Sequence, residues 1–192
     1  MNNKIRKLTG VSILIALVVI LQFLSNYITF GPVNITLALI PIVLAGIIYG
    51  PVEGFIVGAV LGAIVLVSPS TGVFLSYKPV TTVFLCLLKT GLAGLAAGFI
   101  FKPFKGRNEL VGSILASIAV PIINTGLFSL ITIFVFREGV FGVTDLNGEF
   151  LSYFFLTVIG INFLIEFAVN SALSPAIYKI SKIVNSRFAE RE

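Results

Sequence analysis

The chain has 192 residues, 57% hydrophobic and 11% charged, with a formal net charge of +5 and a mean hydropathy of +1.10. A soluble domain of this length needs far more polar surface, so the composition excludes one and points to an integral membrane protein. The lack of histidine removes the commonest general base and metal ligand, and the single cysteine, Cys86, excludes an internal disulfide.

Apolar runs of about 20 residues recur along the chain and predict an all-α bundle of six transmembrane helices in one membrane domain, residues 1–192. The first span covers roughly 8–29, behind the basic residues Lys4, Arg6 and Lys7. Its start resembles a signal peptide, but the apolar run is long and SNYITF offers no small-x-small cleavage site, so it reads as a retained helix. Span two, 34–50, and span three, 51–67, meet at Gly50-Pro51, which cannot continue a straight helix. Across them Gly46, Gly50, Gly54, Gly58 and Gly62 recur every fourth residue, a spacing that lets helix backbones approach closely in lipid. A polar connection, SPSTGVFLSYKP (68–79), leads to span four, roughly 80–101, which carries Lys89 among small and apolar residues. Span five, 110–136, contains Pro121, which cannot donate to the carbonyl of Ser117 and breaks the helix pattern near the bilayer middle. The connection 137–149 precedes span six, 150–178.

Charge placement orients the bundle. Lys4, Arg6, Lys7, Lys102, Lys105, Arg107, Lys179, Lys182, Arg187 and Arg191 all fall on one side if the number of spans is even. By the positive-inside rule that side is the cytoplasm, with both termini. Their division among three membrane-proximal segments argues for topology and against a nucleic-acid surface.

Lys89 is the residue that an apolar helix least explains. It sits about nine residues into its span, about 13 Å deep, where a lysine costs roughly 2.5–3.5 kcal/mol on insertion scales. It therefore requires a partner, a cavity or water. Asn162, Glu166 and Asn170 form one polar stripe on span six, and Asn124 and Thr125 follow Pro121 on span five. Two readings stand. Lys89 and Glu166 pair and lock the bundle, although they differ by about seven residues, about 10 Å, in expected depth. Alternatively, Lys89 attracts a carboxylate or phosphate into a buried site where Asn124 and Asn162 give hydrogen bonds. The outer connection 68–79, ending in Tyr77-Lys78-Pro79, is then either a lid with Lys78 steering an anion inward or a solvated connector with an interfacial tyrosine.

Other chemistry is missing. There is no G-x-x-x-x-G-K-[ST] phosphate loop, so ATP binding of that kind is excluded, and no histidine-based catalytic or metal site is possible. No cofactor is expected. A transport function would take its energy from an ion gradient or a partner ATPase, and one buried acid with no internal repeat makes a partner the simpler source.

The basic start with Leu8-Thr9-Gly10, the segment NITLALIPIVLAGIIYGPVEGFIVGAVLGAIVLV (34–67), LLKTGLAGLAAGF (87–99) and VPIINTGLF (120–128) together resemble a substrate-binding S component of an energy-coupling factor (ECF) vitamin transporter. The likeness covers nearly the whole chain, and 34–67 with 120–128 are most similar to the pantothenate-type branch. It implies a multi-pass bacterial plasma-membrane subunit, not an enzyme, that captures a vitamin from outside. It also implies a transmembrane coupling subunit and two cytoplasmic ATPases as partners. The family's Ala-x-x-x-Ala docking pair on helix one corresponds to Ser12 and Ala16, with serine in place of the first alanine. The family's site, in the outer half between the last three helices and beneath the loop joining helices three and four, corresponds to Lys89, Thr90, Asn124, Thr125, Asn162, Tyr77 and Lys78. Folate, riboflavin or a pyridoxine-like compound are alternative ligands. A structural scaffold of the rod-shape MreD type is an alternative of another class, and it would need no buried lysine.

Overall fold

The computed structural model describes residues 3–25, 27, 29–30, 33–34 and 36–189; Arg191, one of the basic residues in the charge map, lies outside them. The chain is helical apart from a short antiparallel ribbon in which β1 (Thr29–Phe30) pairs with β2 (Val33–Asn34). The helices are α1 (Asn3–Ser25), α2 (Leu39–Tyr49), α3 (Pro51–Val65), α4 (Gly72–Tyr77), α5 (Pro79–Phe101), α6 (Glu109–Ile131), α7 (Arg137–Phe141), α8 (Gly148–Tyr153) and α9 (Ile161–Ala189). Among the described residues, four continuous helical stretches are long and apolar enough to cross a membrane: Lys4–Ser25, Pro79–Phe104, Glu109–Phe141 and Gly148–Ser186. The pair Pro51–Val65 and Pro69–Tyr77, bent by 78°, makes a fifth if taken as one broken span.

The second apolar stretch differs from its sequence expectation. It is helical only over 11 residues, Leu39–Tyr49, about 16 Å of rise, because its beginning is drawn into the ribbon and the turn before α2. What it lacks in length it makes up in burial: Leu39 and Pro41 through Ile47 are all buried, and α2 touches α1, α3, α5, α6 and α9. Gly50 ends α2 at φ 115°, a backbone conformation that disfavours any side chain, and Pro51 opens α3 with its fixed φ and no N–H to leave unpaired.

The α3–α5 pair is held backbone to backbone. A Cβ added at Gly54, Gly58 or Gly62 would overlap the carbonyl of Gly94, Thr90 or Cys86, respectively. The glycines of α3 thus lie in register along the antiparallel α5. Lipid offers no hydrophobic drive for two apolar helices to meet, so this closeness has to come from dispersion contact that only small residues permit.

The other side of the bundle is less regular. α6 runs without interruption through the buried Pro121, so the break expected there does not occur. The departures from α geometry lie elsewhere, in two π-helical segments, Thr132–Phe136 and Phe154–Gly160. They lie beside a small apolar cluster built from Ile133, Phe150, Phe154, Val158 and Ile159. The connection 68–79 also departs from its expectation as a loop. It forms a 3₁₀ turn, Pro69–Thr71, and then α4, because Phe74 packs edge-on against Phe128 and Phe136 at 5.7 and 5.3 Å.

Candidate functional site

α5 carries Lys89 on the face opposite to its glycine seam. The ammonium lies over the ring of Phe128 from α6, 5.0 Å from the centroid, a cation–π contact that offsets part of its lost hydration. Among the described residues no carboxylate lies within ion-pairing distance of Lys89 and no hydrogen bond ends on it. Lys89, Thr36 and Phe128 border two small chambers, one on each side.

The outer chamber has about 60 Å³ open to the centre of a water-sized sphere. Its walls include Ser68, Ser70, Thr71 and Phe74 from the α3–α4 turn, Thr82, Leu85 and Cys86 from α5, and Gln22 from α1. Two of its hydroxyls are committed to backbone carbonyls: Thr71 donates to Val65 O at 2.7 Å, and Thr82 lies 2.8 Å from Lys78 O and 2.9 Å from Phe74 O.

The inner chamber, about 40 Å³ by the same measure, is lined by Asn124 and Thr125 of α6, by Val158 and Ile159 of the second π segment, and by Asn162, Phe163 and Glu166 of α9. Glu166 is 5% exposed, and its Oε1 accepts the backbone N–H of Thr36 at 2.7 Å. The hydroxyls of Thr36 and Thr125 are further hydrogen-bond partners of this carboxylate. One buried acid therefore ties α6, α9 and the approach to α2 together. Asn124 is 4% exposed, and its Oδ1 has no partner among the described residues. Among the described residues, no group of three His, Cys, Asp or Glu side chains is arranged to hold a metal ion.

Of the residues singled out in the sequence, the structure brings together Lys89, Asn124, Thr125 and Asn162, with Glu166 beside them. Thr90 is not among them: its hydroxyl donates to Cys86 O at 2.8 Å within α5, and its carbonyl faces Gly58. Tyr77 and Lys78 are exposed and border neither chamber; the Lys78 ammonium lies 3.4 Å from Val135 O and 5.2 Å from the Tyr77 ring. Asn170, third in the polar stripe, donates to its own helix at Glu166 O, 2.8 Å away. Ser12 and Ala16 are exposed on the outward face of α1, away from both chambers.

Sequence reasoning missed Thr36, Phe128 and Gln22. Phe128 lies one turn beyond Asn124 and could have been found by helical spacing. Gln22 is 2% exposed in an otherwise apolar helix, and its polarity alone was a signal. Thr36 had none, because its role depends on a partner 130 residues away.

A family model described as "ECF transporter, substrate-specific component" matches residues 6–178. The chain belongs to this family. Neither a curated protein nor a solved structure matches it. As an ECF substrate-specific component it is the substrate-binding subunit of a transporter and not an enzyme. Its substrate is a small molecule, its partners are the other subunits of an ECF complex, and it is a multi-pass membrane protein.

Proposed function

We propose that this substrate-specific component captures a small anionic vitamin from the outer face, with pantothenate the favoured ligand, and delivers it to an ATP-driven complex. The single observation that carries this reading is the Lys89 ammonium, buried between two chambers with no acidic partner at ion-pairing distance among the described residues. An ammonium is kept in such a place at a cost of roughly 2.5–3.5 kcal/mol, which an incoming carboxylate can offset. Pantothenate has one carboxylate for Lys89, and an amide and two hydroxyls suited to Asn124, Thr125 and Asn162. The likeness of 34–67 and 120–128 to the pantothenate-type branch supports the same choice.

In this reading the single membrane domain crosses the bilayer six times through α1, α2, α3, α5, α6 and α8–α9. Both termini lie in the cytoplasm of a bacterium, where the basic residues gather. The bent α3–α4 segment then covers the outer chamber, and Tyr77 and Lys78 stand at its rim and not in the site. Ser12 and Ala16 present a small, outward-facing notch for the transmembrane coupling subunit, which connects to two ATPases. The test is purification in detergent followed by mass spectrometry of the small molecules released. Wild-type protein is expected to yield an anionic vitamin at near-equal stoichiometry and Lys89→Ala to yield none. Wild-type protein that repeatedly yields nothing, with no melting shift from a vitamin panel, overturns the proposal.

A further inference from the structure

We infer that Glu166 sets the hydrogen-bonding polarity of the inner chamber, and so restricts its occupant to anions that also carry O–H or N–H donors. The inference rests on the reading of Lys89 as the anion site and goes on to name the second requirement on the ligand.

The carboxylate of Glu166 is already occupied by protein donors: the Thr36 backbone N–H at 2.7 Å and the hydroxyls of Thr36 and Thr125. A carboxylate accepts, whereas a hydroxyl has a single proton and two lone pairs. With both threonine protons directed at Glu166, the two hydroxyls have only lone pairs left to offer. Both residues border the inner chamber. So does Asn124, whose buried Oδ1 has no partner among the described residues. The chamber therefore combines one cation, Lys89, with several oxygens that want donors. A ligand with a carboxylate and an apolar body would answer Lys89 and leave those acceptors buried and unmet, which is the costly arrangement for a polar group. A ligand whose O–H or N–H groups lie a few ångströms from its charge answers both. The remaining walls, Phe128, Val158, Ile159 and Phe163, supply shape but no polarity. Since its own oxygens are engaged by the protein, Glu166 acts through the threonines as a positioning residue.

The experiment compares calorimetric Kd values for pantothenate and for its analogue with both hydroxyls replaced by hydrogen, on wild type, Glu166→Gln and Lys89→Ala. Wild type is expected to prefer pantothenate by about tenfold or more. In Glu166→Gln the preference should fall to within about threefold, because a glutamine amide can donate and lets a threonine proton turn toward the ligand. Both ligands should still weaken on Lys89→Ala. A merely structural role for Glu166 would weaken both ligands equally and leave the preference unchanged, which overturns the inference while the Lys89 reading stands. Equal binding of the two ligands by wild type overturns it as well. Wild type that binds no anion at all removes the reading beneath and the inference together. If Glu166→Gln does not fold, Thr125→Val, which deletes one of the oriented hydroxyls, is measured in the same way and should also narrow the preference.

Discussion

The two faces of α5 have been built for opposite purposes. Toward α3 it offers Gly94, the Thr90 carbonyl and the Cys86 carbonyl, and glycines press on each so closely that not even a methyl group would fit. Toward α6 it offers Lys89, and there the bundle opens into chambers with π-helical walls and buried polar atoms lacking partners among the described residues. The first face is a scaffold, where close packing leaves no alternative arrangement. The second keeps polar groups incompletely satisfied, a state that costs stability and persists where a ligand is to complete it. Residues 89 and 90 are neighbours in sequence and belong to different regions, which is the sharpest form of the contrast.

Four substitutions would break or sharpen it. The largest effect is expected from Gly58→Leu, whose side chain must displace the Thr90 carbonyl. It should cost about 3 kcal/mol or prevent folding, read as a lowered melting temperature in detergent or loss of monodisperse protein. Lys89→Ala comes next, and its two readouts should diverge. Ligand affinity should fall about 100-fold, as befits a charge-assisted hydrogen bond, while the melting temperature without ligand stays level or rises because an unpaired buried cation has been removed. A marked drop in the melting temperature would instead make Lys89 part of the scaffold and dissolve the contrast. Asn124→Leu should weaken the ligand about tenfold, with little change in the empty protein, since the amide oxygen it deletes has no partner among the described residues. The smallest effect belongs to Thr90→Val. The Thr90 hydroxyl bonds only carbonyls of its own helix, at Cys86 and Leu87, and borders neither chamber. Ligand affinity should stay within about twofold of wild type and stability within about 1 kcal/mol. A large loss of affinity there would move the boundary between the two regions by one residue.

Much of this site is legible in the amino-acid sequence, and the misses are instructive. Lys89, Asn124 and Asn162 stand out because a polar side chain in an apolar run always demands an explanation. Expected depth separates Lys89 from Glu166 by about 10 Å, which makes a direct pair the weaker option; the two do border one chamber without pairing. Thr90 is carried along by its neighbour, although one residue is a turn of about 100° on a helix and points the side chain elsewhere. Pro121 suggests a break in α6, but a helix buried among others absorbs a proline, and the irregular turns form at Thr132–Phe136 and Phe154–Gly160 instead.

The sequence by itself determined that this is a helical membrane protein, that a cation lies deep within it, and that small residues recur at the spacing helix contacts require. These follow from hydropathy and the 3.6-residue period, which are properties of one segment at a time. Only the tertiary structure decided which faces meet: that the glycines of α3 close on α5, that α4 folds over the outer chamber, and that Glu166 reaches Thr36 across 130 residues of chain. The reason is that apolar helices in lipid have no hydrophobic gradient to orient them. Rotation and pairing are fixed by contact and hydrogen bonding between distant segments, and a linear pattern does not encode those partners one by one.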